Sequence, residues 1–284
     1  MRGRVVGEGA EAAGELGSEA ALGQDRAHCA RVYDCHLGGK SNYVVDREAA
    51  RAAAEVFPAI EVAARANRAY THRAVRYLAQ RGVRQFIDVG AGLPLAPHLH
   101  EVVQAVAPEA AVVYVDHDPI VLVYADELLH GSPQGTVRCV EADARRPGQV
   151  LAAVERTRTL DFGRPVALSL HALLDFLADD MDPYAVVGRL LERLAPGSYL
   201  SLTHCTGDVA PHAWEAVAGT YRRRGITMRP RSRTEVLRFF RGLELADPGL
   251  VPAHRWRPPP GAGPGLATDR QVSVYAGVAR KPPA

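Results

Sequence analysis

Short apolar runs alternate with stretches of helical spacing through most of the chain. Gln85–Val89, Ala111–Asp116, Thr136–Ala142, Pro165–Leu170 and Ser198–His204 read as strands. They are apolar at nearly every position, the pattern of a parallel sheet buried on both faces. Between them the spacing predicts helices near Pro97–Ala107, Pro119–Leu129, Pro147–Arg156 and Pro183–Leu194. Several begin on proline, whose missing N–H costs nothing in a first turn. Helices near His212–Arg223 and Thr234–Arg241 follow, then strands Leu243–Ala246 and Gln271–Ala279, separated by the turn-rich run Arg257–Gly265. The expected fold is α/β and Rossmann-like: a seven-stranded, mostly parallel sheet with one antiparallel strand.

Upstream, Asp46 opens a helical stretch over Arg47–Phe57, and Pro58 breaks it. Ile60–Arg81 is a longer helix with Val62, Ala66, Ala69, Val75 and Leu78 near helical spacing, stopped by Gly82. Ala30–Tyr43 is polar and glycine-bearing. The organisation expected is a disordered tail over 1–27 and one domain over 28–284. Within that domain, 28–82 forms an N-terminal helical extension to the core, 83–284.

At 284 residues, 47% apolar and 23% charged, the chain can bury a sizeable core. A net charge of +2 supplies no field that would draw it onto nucleic acid or a membrane, and no apolar run approaches the roughly 18 residues of a membrane span. Met1–Gln24 lacks the apolar centre of a secretory signal. Cys29, Cys35, Cys139 and Cys205 form no even framework and read as reduced thiols, which places the protein in the cytoplasm. The spacing of His28-Cys29 and Cys35-His36 does not match a zinc site, so no metal is expected.

The chemistry concentrates in Gln85-Phe-Ile-Asp-Val-Gly-Ala-Gly-Leu-Pro94 and Val112-Val-Tyr-Val-Asp-His-Asp118. An apolar run ending in Asp88, Gly90 and Gly92, then a second ending in Asp116, is the order in which a parallel sheet binds an adenosine-containing ligand. The glycines let backbone approach the ligand, and the Asp116 carboxylate can accept both protons of a ribose diol. A dinucleotide needs a third small residue where this chain has Leu95. It also needs a row of N–H donors, from which Pro94 and Pro97 each delete one. S-adenosylmethionine has no phosphate, and its cationic groups suit Asp88, so the loop favours it over NAD(P).

His117 stands beside Asp116 at the same strand end. Asp118 reads as the cap of the helix opening at Pro119. Asp143 is placed to accept from the adenine amine, with Ala142 and Ala144 leaving room for the ring; the competing reading is a cap for the helix after Pro147. Gly38-Gly39-Lys40-Ser41 mimics the end of a P-loop but has Asp34 where the motif needs glycine. His171, directly after the fourth strand, could take a proton from a nucleophile or be structural, and His204 and Cys205 stand similarly after the fifth. Asp182-Pro183-Tyr184 resembles a methyltransferase D-P-P-Y signature, but its position suits a helix cap. Arg222–Arg224 with Arg229, Arg231 and Arg233 could meet phosphates, but without interleaved aromatics they read as a solvated face.

The run Ala30-Arg-Val-Tyr-Asp-Cys-His-Leu-Gly-Gly-Lys-Ser-Asn42 resembles the N-terminal signature of the actinobacterial S-adenosylmethionine-dependent methyltransferase family once described as a domain of unknown function. Arg65–Arg68, Gln85–Pro94, Val113–Pro119, Asp180–Val187, Leu250–Arg257 and Val272–Pro282 match as well, covering the chain from about residue 30. The resemblance implies a class I methyltransferase fold that binds S-adenosylmethionine, and no particular substrate. With it, the Arg31–Asn42 segment reads as a lid within 28–82 on which Tyr33 and Asn42 offer hydrogen bonds; the competing reading is a helix-capping arm that packs on the sheet. Cys35-His36 and His171–Asp175 depart from the family pattern, which bears on the substrate and not on the cofactor. The expected reaction is methyl transfer to a small-molecule acceptor. The alternatives are an NAD(P)-dependent oxidoreductase and a non-catalytic S-adenosylmethionine-binding regulator.

Overall fold

The computed structural model describes residues 23–259 and 267–283. Most of the expected N-terminal tail, and the Arg257–Gly265 connection from 260 onward, lie outside them. Three helices open the fold: α1 (Cys29–Leu37), α2 (Val44–Val56) and α3 (Ile60–Gln80). Strand and helix then alternate: β1 (Gln85–Val89), α4 (Leu99–Gln104), β2 (Ala111–Asp116), α5 (Pro119–Leu128), β3 (Thr136–Glu141), α6 (Pro147–Arg156), β4 (Ala167–Leu170), α7 (Pro183–Glu192) and β5 (Tyr199–Cys205). The chain ends through α8 (Pro211–Arg222), α9 (Arg233–Arg238), β6 (Glu244–Leu245), β7 (Val251–Pro252), α10 (Asp269–Val272) and β8 (Val274–Arg280).

The sheet runs β3-β2-β1-β4-β5-β8-β6, with β7 also on β8. Strands β1 to β5 pair in parallel, and β8 is antiparallel to β5, β6 and β7. Because β5 takes one edge of β8, β6 and β7 share the other, at Arg280–Ala279 and Ala276–Tyr275. The sheet thus has eight strands in seven positions, not seven strands. The extra one is a two-residue strand too short to leave a periodic signal. Each face carries its own apolar layer: Ile87, Leu168, Leu190 and Phe239 on one, and Tyr70, Leu78, Phe86 and Trp256 on the other. Strand order reverses between β1 and β4, so their C-terminal ends flank a crevice of the kind in which open α/β sheets bind ligands.

One N-terminal detail adds to the sequence reading and one differs from it. The Ala30–Tyr43 segment contains helix α1, whose polar residues are buried because each has a partner. Arg31 pairs with Asp46 at 3.2 Å, and the fully buried Asp46 also accepts from His28 N–H at 2.9 Å. Asp46 lies inside α2 and does not open it; it accepts from the N–H of the N-cap, Tyr43. The glycines that mimic a P-loop end α1: Gly38 has φ +81° and donates to the Asp34 and Cys35 carbonyls. Pro97 stays outside α4, which His98 caps with Glu101 reaching back to its N–H.

Candidate functional site

The loop after β1 forms the floor of the crevice. Gly90 and Gly92 have φ of +73° and +65°, a region open to glycine. A Cβ on Gly90 would lie 2.7 Å from Leu173 Cδ1, so the loop after β4 presses directly on this glycine. The N–H groups of Gly90 and Ala91 both donate to the Val115 carbonyl, at 2.8 and 3.2 Å. Gly92 N–H donates to Asp116 Oδ2 at 2.9 Å. Every donor of the Gly-Ala-Gly turn therefore faces its own protein.

Asp116 ends β2 with its side chain 6% exposed. Its Oδ1 accepts from His117 N–H at 2.7 Å and Asp118 N–H at 3.0 Å, which fixes the carboxylate rigidly at the crevice edge. Asp118 caps α5 through Ile120 N–H, as its position predicts, and pairs with His28 at 2.9 Å. Asp88 is buried, and burial, with Asp116 adding to it, pushes its carboxyl up to about 7.

Two adjoining cavities occupy the crevice. One, about 90 Å³, is bounded by Tyr33, Arg68, Asp88, Gly92, Asp116 and His171. The other, about 220 Å³, shares Gly90, Asp116, His117 and Leu173 with it and extends to Asp143, Ala144 and Met181. Of the residues singled out from sequence, Tyr33, Asp88, Gly90, Gly92, Asp116, His117, Asp143, Ala144 and His171 all line one or both. Asn42 lines neither. Its amide donates to Asp34 at 2.8 Å and to the Gly39 carbonyl, holding the turn after α1. Asp143 does not cap α6, since Arg146 occupies the cap position. It accepts twice from Arg145 Nε, at 2.9 and 2.8 Å. Burial pushes its carboxyl up, but the Arg145 hydrogen bonds outweigh this and hold it below the usual range.

His171 Nε2 lies 2.8 Å from Ser201 Oγ, which lies 3.1 Å from Tyr70 Oη. Tyr70 donates to the Gly277 carbonyl at 2.7 Å, so it accepts from Ser201, and Ser201 accepts from His171 Nε2–H. The chain of bonds fixes the tautomer and leaves Nδ1 as a buried acceptor without a partner. Burial, with Arg68 and His72 nearby, lowers this imidazole to about 3. A base that weak does not collect protons at neutral pH. The next residue, Ala172, is held at φ +48° by Thr203 Oγ1, which accepts its N–H at 2.9 Å. Strain of this kind in a non-glycine residue persists only where the surroundings impose it.

Sequence reasoning passed over Asn67 and Arg68, though both sit in a run it had marked. Arg68 donates to the Leu95 carbonyl and, at 2.9 Å, to the Pro97 carbonyl; its buried Nε has no partner. Asn67 Nδ2 donates to Tyr33 Oη at 2.6 Å, and Tyr33 in turn donates to the Ala64 carbonyl. That leaves Asn67 Oδ1 buried and unpartnered. Three orphaned polar atoms thus surround one cavity whose walls also carry two carboxylates.

The arginine run is not wholly solvated. Arg231 is fully buried, donating to the Leu174 and Leu177 carbonyls, Asp179 and His204 Nε2, the last at 3.0 Å. Asp175, His204 and Cys205 form the one group among the described residues with metal-ligand proximity. Its positive charge is already supplied: Arg231 holds Nε2 of His204, so Nδ1–H faces Asp175 at 2.9 Å. Burial pushes the Cys205 thiol well up, so it stays protonated. The cluster is a closed hydrogen-bond network.

Residues 16–282 match the family model described as S-adenosyl methyltransferase. A solved DUF574 family protein of Streptomyces avermitilis is 45% identical, with a TM-score of 0.88 over 92% of this chain and 100% of that one. A candidate methyltransferase of Thermobifida fusca is 37% identical, with a TM-score of 0.84 over 94% of this chain and 100% of its own. No curated protein matches this chain. Among the described residues, no helix is long and apolar enough to cross a membrane.

Proposed function

The chain belongs to the S-adenosyl methyltransferase family, and from that premise we propose how its residues divide the work of an S-adenosylmethionine-dependent methyl transfer to a small-molecule acceptor. The observation that carries the reading is the closed Gly-Ala-Gly turn. All three of its N–H groups are bonded within the protein, so nothing there can cradle a pyrophosphate.

The orphaned and charged groups fit the parts of S-adenosylmethionine. Asp116 would take the ribose diol. Asp88 and Arg68 would take the ammonium and carboxylate of the amino-acid end. His117, Asp143 and Ala144 would border the adenine in the larger cavity. When bound, the cofactor supplies a methyl group on a positively charged sulfur. An acceptor held in line with that carbon would take the methyl, and its proton would pass to solvent. The chain contributes mainly position and the exclusion of water. Cys29 and Tyr33 of α1, with Asn67 and Thr71 of α3, wall the smaller cavity, which supports the lid role for residues 28–82. His171 serves as a neutral acceptor through Nδ1 and not as a proton sink. Cys29, Cys35 and Cys205 are free thiols, which supports work in the reducing cytoplasm.

Thermal shift and calorimetry with S-adenosylmethionine, S-adenosylhomocysteine, NAD and NADP test the reading. Stabilisation by the first two alone is expected, and stabilisation by a nicotinamide nucleotide would refute it. Transfer of labelled methyl into small-molecule extracts rather than protein or RNA tests the acceptor class.

A further inference from the structure

A third cavity, about 60 Å³, lies between α1, α3 and α8 and the ends of β4 and β5. It shares Cys29, Tyr33, Asn67, Ala172 and Phe176 with the smaller crevice cavity, so whatever fills one abuts whatever fills the other. Most of its walls are apolar, with Val32, Ile60, Ala63 and Val274 among them. A single water needs on the order of 10–15 Å³, so about 60 Å³ suits a small occupant of single-ring size.

Two polar atoms on its walls lack partners. Asn67, 4% exposed, has Oδ1 unpaired; Trp214, 3% exposed, has Nε1 unpaired. The amide orientation of Asn67 is fixed, because Tyr33 gives its own proton to the Ala64 carbonyl and can only accept from Asn67 Nδ2. One wall therefore presents an acceptor and another a donor. Asn67 belongs to the boundary shared with the crevice, whereas Trp214, packed on Phe57 at 5.4 Å between ring centroids, lies away from it. Buried groups of this kind ordinarily have partners.

The charge pattern narrows the occupant. Asp175 is the one acidic side chain among the lining residues, and no lysine or arginine lines the cavity. Burial pushes its carboxyl up, but His204 and Cys205 outweigh this and keep it ionised. His36, the histidine on this wall, is lowered to about 4 by burial and is neutral. An anionic occupant would be buried beside a like charge with nothing to offset it.

We propose that this chamber holds the methyl acceptor, and that the acceptor is an uncharged, single-ring molecule. Its nucleophilic N–H or O–H group donates to Asn67 Oδ1, and a carbonyl or ring nitrogen on the far side accepts from Trp214 Nε1. This deepens the methyl-transfer reading above and rests on it. Asn67 positions the nucleophilic atom at the boundary with the crevice, and Trp214 sets the orientation of the ring. Phosphorylated and carboxylated metabolites are excluded.

The probe is 4-pyridone, a neutral ring with N–H and C=O at opposite ends, compared with benzoate and phenyl phosphate. Binding to the protein saturated with S-adenosylhomocysteine is followed by ligand-observed NMR. 4-Pyridone should bind and the two anions should not. Trp214→Phe, which keeps the aromatic packing, should weaken 4-pyridone about tenfold, the worth of one hydrogen bond. Ala64→Leu, which fills the chamber from α3, should abolish its binding while calorimetric affinity for S-adenosylhomocysteine stays unchanged. Failure of 4-pyridone to bind, equal binding of benzoate, or indifference to both substitutions would overturn the proposal. If S-adenosylhomocysteine itself does not bind, the cofactor reading falls; if it binds and no ring does, only the acceptor assignment falls.

Discussion

Replacing Asp88 with asparagine should make the ligand-free protein more stable and the cofactor bind less well. Burial holds this carboxyl at about 7 in the folded chain, against 3.8 for an unperturbed aspartate. Between those values the unfolded chain has released the proton while the folded chain keeps it. Stability from this group is therefore fully present below about pH 4, falls as pH rises, and levels off above about 7. The cumulative loss is on the order of 4 kcal/mol. Asparagine keeps the shape but cannot ionise, so Asp88→Asn should recover much of that at pH 8 and little at pH 4.5, as measured by urea unfolding. Binding should move the opposite way. If only the ionised carboxylate holds the ligand's ammonium, about one-eleventh of the protein is competent at pH 6 and about ten-elevenths at pH 8, a roughly tenfold gain in affinity. Above about pH 8 Asp88 is almost fully ionised, which ends the rise. Calorimetry with S-adenosylhomocysteine should show this slope in the wild type and a flat, weaker profile in Asp88→Asn. The loss at pH 8 should be about tenfold to a hundredfold, the value of a hydrogen bond to a charged group. A wild-type affinity independent of pH, or equal affinity of both proteins at pH 8, would refute the assignment.

Asp116→Ala should weaken S-adenosylhomocysteine by tenfold to a hundredfold or more. If the ribose is its target, a 2′-deoxy analogue should bind less tightly to the wild type but no worse to the variant. Gly90→Ala combines a φ of +73° with a methyl 2.7 Å from Leu173 Cδ1, so about 1–3 kcal/mol of stability should be lost and cofactor affinity with it; an unchanged melting temperature contradicts this. Arg231→Met leaves the Leu174 and Leu177 carbonyls and His204 Nε2 without their buried donor. It should cost about 3–5 kcal/mol in denaturant unfolding, and a neutral outcome would mean the network is dispensable.

The sheet strands and the residues that line the crevice could be read from the chain because their signals are local. Continuous apolar runs mark strands covered on both faces, and glycines followed by a strand-ending acid mark where backbone must yield to a ligand. Pro119, Pro147 and Pro183 marked helix starts for the same reason, each lying in a first turn. What the chain could not disclose depends on partners far away in sequence. Helix α1 looked polar because Arg31 finds Asp46 only after the chain folds back, and Asn42 is drawn to Asp34, away from the crevice. Arg231 resembled a surface cation, yet carbonyls 54 and 57 residues away take it into the core. The weakness of His171 as a base comes from burial and neighbouring Arg68 and His72, quantities that no local pattern encodes. The chamber beside the crevice exists only where α1, α3 and α8 close over the ends of β4 and β5. Local propensity and periodicity act within a few residues, whereas burial, charge environment and cavity shape are set by segments that meet only in the folded molecule.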